Sequence, residues 1–227
     1  MFARQCLVSV AGAMLAAAVT MGPLRAAGSD SLVDAVNRIV AIDGEAAELS
    51  TDRLTEVAEV ACTTLGAVTG RTLTDVLQTA YSRLERDYDA AAATFAEQDA
   101  YRGFLAAERR LLAESGLSEP AVARAMNLIE GARAPGAQGL TASYSVKLHA
   151  GEINTVICEV YRRRTKGQAS PQRDRRLAKS AANGLAGLAI IVIGNGEAAQ
   201  QAEAPVAAAS TAVGSIVVAR AYSGLFR

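Results

Sequence analysis

The chain of 227 residues has no tryptophan, four phenylalanines, six tyrosines, five prolines, three cysteines and one histidine, and its 23 basic side chains balance 23 acidic ones. Few aromatic side chains leave little material for strands, which draw on aromatic and β-branched residues. A single histidine, His149, leaves a cysteine nucleophile without a recognisable His-Asn or His-Asp partnership. His149 and Glu152 stand three apart and supply two metal ligands at most, whereas a site needs three or four, so no metal or other cofactor is expected. Disorder is excluded as well, because 51% of the residues are apolar and 20% charged. What the chain has in excess is alanine, 49 residues of it. Alanine loses least on entering a helix, and this points to an all-α fold.

The N-terminus has the layout of a secretory signal peptide. Arg4 is followed by an uncharged run to Leu24, with an apolar centre from Leu7 to Met21, and then by the small residues Ala26, Ala27 and Gly28. Cleavage after Gly28 puts small side chains at both required positions. The apolar centre falls short of the roughly 20 residues that span a bilayer, and Cys6 lies too early to serve as a lipidation site. An exported protein, periplasmic or secreted in a bacterium, is therefore expected. Removal of residues 1–28 leaves two cysteines, Cys62 and Cys158, in an oxidising compartment, where an even count favours a disulfide. A bond across 96 positions would stabilise the fold by about 4 kcal/mol through loop closure.

Charge divides the remaining chain. From Gly28 to Tyr161 there are 20 acidic and 11 basic residues, and from Arg162 onward three acidic and ten basic. The organisation reads as a signal peptide (1–28), an acidic helical body (29–161), a basic linker (162–176) and an apolar hairpin (177–227).

Helical periodicity runs through the body. Leu32, Val36, Ile39 and Val40 share a face, as do Leu54, Val57, Ala61 and Leu65. Leu73, Val76, Leu77, Ala80, Tyr81, Leu84 and Tyr88 make the cleanest stripe. It falters at Gln98 and Asp99 and resumes at Tyr101, Phe104, Leu105, Leu111 and Leu112, so residues 72–115 form either one long helix or two with a break near Ala96–Asp99. Ser118, Glu119 and Pro120 start another helix, with Val122, Ala125, Met126 and Ile129 on its face, and Ala134, Pro135 and Gly136 stop it. Tyr144, Val146 and Leu148 alternate with polar residues over one short run. Ile153, Val156, Ile157 and Val160 return to helical spacing. Glu85, Asp87 and Asp89 read as a solvated acidic face.

The segment Ala189 to Ala199 places Gly194, Gly196 and Ala199 after an apolar run, the spacing of a dinucleotide-binding turn. Pro205 interrupts the helix such a turn requires, Arg220 stands where an acidic ribose partner belongs, and no parallel-strand pattern lies upstream. A helix ending in a Gly-Asn-Gly turn, with glycine or asparagine in the left-handed conformation, accounts for the segment better. A helical hairpin follows, with arms at about Ala181 to Ile193 and Ala204 to Ala221. Its arms are dotted with Gly184, Gly187, Ala208, Ala212 and Gly214, small residues that permit close helix contact.

The fold expected is an all-α helical bundle with a C-terminal Gly/Ala-rich apolar hairpin, buried at its centre. The expected role is binding or structural. Partners would be an unknown protein or an anionic membrane surface, the latter met by Arg162, Arg163, Arg164, Lys166, Arg173, Arg175 and Arg176. Nucleic acid is not expected, since no aromatic residues interleave these charges. The alternative is a membrane-surface or membrane-inserting protein whose hairpin leaves the bundle. An enzyme ranks third, because no acid, base or nucleophile assembles with partners.

Overall fold

The computed structural model describes residues 27–44, 51–68, 71–132, 158, 171–196 and 204–225, and these residues are all-helical apart from short turns. Eight helices lie among them: α1 (Ala27–Gly44), α2 (Thr51–Val68), α3 (Arg71–Arg86), α4 (Tyr88–Ala96), α5 (Gln98–Glu114), α6 (Glu119–Gly131), α7 (Pro171–Gly194) and α8 (Ala204–Leu225). The last two form a hairpin. α1 and α2 pack on α7, α3 and α4 on α8, and α5 and α6 lie across both arms.

The hairpin takes the centre because it can be buried from every side. Twelve consecutive residues of α8, Ala207 through Val218, are buried, and α7 is buried from Ala181 to Ile191 apart from Asn183. A helix that is apolar all round gains nothing from a solvent face. The outer helices each contribute one stripe: Leu32, Val36 and Ile39 from α1, Val57 and Ala61 from α2, Leu77, Tyr81 and Leu84 from α3, Val122, Met126 and Ile129 from α6. Among the described residues no helix is long and apolar enough to cross a membrane.

Residues 72–115 break twice, giving three helices where one or two were expected. The first break, at Asp87, is slight: φ is −105° and ψ 25°, and the Ala91 N–H still donates to the Asp87 carbonyl at 3.0 Å. The second, at Glu97, turns the chain with an extended ψ of 129°. It rotates the two apolar stripes onto one another, so that Phe95 meets Phe104 edge-on at 5.8 Å and Tyr101 at 6.2 Å. Asp87 is only partly solvated, its carboxylate paired with Arg86 at 2.9 Å, while Glu85 and Asp89 are exposed.

Between α5 and α6 Gly116 adopts φ +94°, the left-handed end of a helix. The Asn37 side chain of α1 holds this turn, donating to the Gly116 carbonyl at 3.0 Å and accepting from the Ser118 N–H at 2.8 Å. Ser118 is the N-cap of α6, as expected, and α6 stops at Gly131, a few residues before Pro135. α7 begins at Pro171, ten residues earlier than the expected arm. Proline suits the first turn of a helix, where its missing N–H has no partner to lose, so Arg173, Arg175 and Arg176 belong to a helix and not to an irregular linker. Arg162, Arg163, Arg164 and Lys166 lie outside the described residues, as do residues 1–26, the alternating run at 144–148, His149 and Glu152. The sulfur atoms of Cys62 and Cys158 stand 2.14 Å apart, at disulfide distance, with Cα atoms at 4.9 Å.

The hairpin arms approach more closely than side chains allow. A Cβ at Gly214 would stand 2.6 Å from Ile191 Cγ1 and 2.8 Å from the Gly187 carbonyl oxygen, and one at Gly187 would meet Val218 at 2.8 Å. Gly103, exposed on α5, has open space instead. Gly214→Ala is therefore expected to destabilise by about 1–3 kcal/mol through overpacking. Gly103→Ala should stabilise by roughly 0.5–1 kcal/mol, the ordinary gain in a helix interior. Denaturant unfolding of the two variants checks the contrast.

Candidate functional site

The hairpin turn and the polar residues beneath it form one network. Gly194 and Asn195 end α7, but no described glycine other than Gly116 has a positive φ, so the expected left-handed conformation is not what closes this helix. The Asn195 side chain does so instead: its amide donates to the Ile191 carbonyl and to Thr211 Oγ1, both at 2.8 Å, and its oxygen accepts from Arg83 at 3.4 Å. The dinucleotide reading fails with the same observation, since the apolar run before Gly194 is helical.

On α8 the buried hydroxyls donate to carbonyls one turn back, Ser210 to Val206 at 2.8 Å, Thr211 to Ala207 at 2.9 Å and Ser215 to Thr211 at 2.6 Å. Each polar group is thereby satisfied within its own helix. Glu108 of α5 is different. Its residue is wholly buried, Oε2 lies 2.5 Å from Ser210 Oγ, and Oε1 has no hydrogen-bond partner. Gly194 makes room for this contact, because a Cβ there would collide with Ser210. A serine hydroxyl carries one proton, so Ser210 divides it between the Val206 carbonyl and the Glu108 carboxyl, which leaves Glu108 weakly compensated for its burial. Burial, opposed only by the Ser210 bond, pushes the Glu108 carboxyl up to about 7. Burial also raises the nearby Tyr81 phenol to about 12, with Ser215 pulling weakly the other way.

Sealed from solvent, Glu108 cannot meet a substrate. The described surface offers a second place, a groove of about 460 Å³ where α6, α7 and α8 converge. Asn127, Leu128, Gly131 and Ala132 line it from α6, Lys179, Ser180 and Asn183 from α7, and Val217, Arg220 and Ala221 from α8. Each set follows helical spacing, so each helix contributes one face. Val217, Ala132 and Ala221 make a buried apolar floor, and Lys179, Arg220 and Asn127 are exposed at the rim. Arg220 donates to the Gly131 carbonyl at the end of α6, and Arg124 donates to Asn183 Oδ1 at 3.2 Å. No acidic side chain is among these lining residues.

Sequence reading singled out neither site. Glu108 resembles a surface charge beside Arg109 and Arg110, yet it falls on the stripe of Tyr101, Phe104, Leu111 and Leu112, and that position was the available signal. Of the basic residues proposed for surface contact, Arg173, Arg175 and Arg176 lie on the first two turns of α7, before Lys179. No described group of histidine, cysteine and acidic residues could hold a metal ion.

The carboxyl of Glu108 gives a pH test. An unfolded glutamate titrates near 4.5 and the folded one at about 7, so the folded state binds the extra proton between these values. Stability is then fully present below about pH 4.5 and is lost as pH rises through 7, by on the order of 3 kcal/mol. Glu108→Gln, which keeps the shape and cannot ionise, should remove this loss and exceed the wild type in stability at pH 8. Urea unfolding of both forms at pH 4.5 and 8 measures the difference.

Comparison with known proteins yields no family model, no curated protein and no solved structure that matches this chain.

Proposed function

We propose that the chain is an exported helical protein that acts by binding a small ligand in the α6–α7–α8 groove. The groove carries this reading. Its volume falls within the roughly 300–1,000 Å³ of small-molecule sites, and it combines an apolar floor with a few convergent polar groups, the usual composition of a ligand seat. Export is supported by the signal-like N-terminus and by the cysteine pair at disulfide distance.

The alternative, a hairpin that leaves the bundle for a membrane, would have to expose the most buried helix among those described, α8. Its loss would open the core shared by α3, α4, α5 and α6.

Asn127 stands exposed at the groove's rim, so Asn127→Trp should close the groove without entering the core. Protein purified natively from the exporting host is expected to carry a small molecule detectable by mass spectrometry of an organic extract. The variant should lose it while keeping the unfolding midpoint of ligand-stripped wild type. The same compound on both forms, or none on either, contradicts the reading. Intact mass of the same material should begin at Ser29 and show both thiols unreactive until reduction.

A further inference from the structure

Resting on the groove as the ligand seat, its chemistry narrows the ligand class. We propose that the groove takes an amphipathic anion, its carboxylate or phosphate head held by Lys179, Arg220 and the Asn183 amide, its apolar body lying over Leu128 and Val217.

Three observations converge on this. The first is the orientation of Asn183. A guanidinium only donates, so the bond from Arg124 identifies the atom facing it as the amide oxygen, and what Asn183 offers the groove is its NH₂ group. The second is Arg220, anchored by one N–H to the Gly131 carbonyl while its guanidinium carries four other donors. That bond also covers a carbonyl at the C-terminus of α6 that would repel an anion. The third is Lys179, a pure donor exposed on the same rim. Three donors converge and no lining carboxylate competes with them, so a ligand must bring acceptors and, against two cations, negative charge. Glu130 is exposed on α6 and is not among the groove residues.

The hairpin register separates head from tail. Gly184 faces Ala221, and Gly187 faces Val218. This antiparallel pairing puts Asn183 near the level of Arg220 and Ala221, Lys179 about 9 Å farther toward the open end of the hairpin, and Val217 farther in. A ligand with its charge at one end and carbon along the rest matches that gradient, whereas a polyanion charged throughout would press charge onto the floor.

Titration calorimetry of the full exported chain at fixed ionic strength tests the proposal with octanoate, octyl phosphate, octanol and acetate as probes. Octanoate or octyl phosphate should bind at least about tenfold more tightly than octanol or acetate, and which of the two is tighter tells a carboxylate from a phosphate source. Lys179→Glu and Asn183→Asp should each weaken the tighter anion by about tenfold or more and leave octanol unchanged, with circular dichroism and the unfolding midpoint retained. Octanol binding as well as octanoate, insensitive to Lys179→Glu but lost in Asn127→Trp, overturns the anionic class and keeps the groove. Anion binding untouched by both Lys179→Glu and Asn127→Trp places the seat elsewhere and overturns the reading beneath it. Absence of binding by both anions overturns the proposal outright.

Discussion

The contact between α7 and α8 is the constraint on which the rest of the molecule depends. Two helices meet at van der Waals range of their backbones only where side chains are missing, and Gly187 and Gly214 supply the gap on opposite arms. The close approach lets Ile190, Ile191, Val213 and Val217 form a continuous apolar centre. Outer helices with a single apolar face then have something to cover. Without that centre α3 and α4 would lose the partner they share, since both pack mainly on α8.

A core made this way has a polar problem, because α8 brings Ser210, Thr211 and Ser215 inside with it. Bonds to carbonyls of the preceding turn solve it for all three, and Asn195 adds a bond to Thr211 that ties the end of α7 to α8. Glu108 is the exception. A carboxyl with one oxygen unpartnered in an apolar interior opposes folding if ionised, and burial accordingly shifts Glu108 toward its protonated form. The same crowded corner explains Gly194, which no side chain could replace beside Ser210. Closing α7 there also fixes the register that gathers Lys179, Asn183 and Arg220 about one groove.

How much of this was legible follows from the range of each interaction. Stripes such as Leu77, Tyr81 and Leu84 are local repeats and announced their helices, and the even cysteine count announced the pairing of Cys62 with Cys158. The Gly-spaced hairpin was readable because small residues on facing arms have one structural use. The breaks at Asp87 and Glu97 were harder, since neither carries glycine or proline and the break at Glu97 serves an aromatic contact made elsewhere. Pro171 signalled a helix start inside the stretch read as a basic linker, 162–176. Glu108 looked like surface in its sequence neighbourhood, although its place on the apolar face of α5 pointed inward. The groove was not legible at all, because its lining comes from three helices whose mutual placement is set by the hairpin.

Native-state hydrogen exchange tests the central role of α8 most directly. If the hairpin is the foundation of the bundle, amides from Ala207 to Val218 should exchange only through global unfolding, with the slowest rates in the molecule and a denaturant dependence equal to that of the whole. Exchange of those amides at low opening free energy, while α1, α3 and α6 stay protected, would contradict the account.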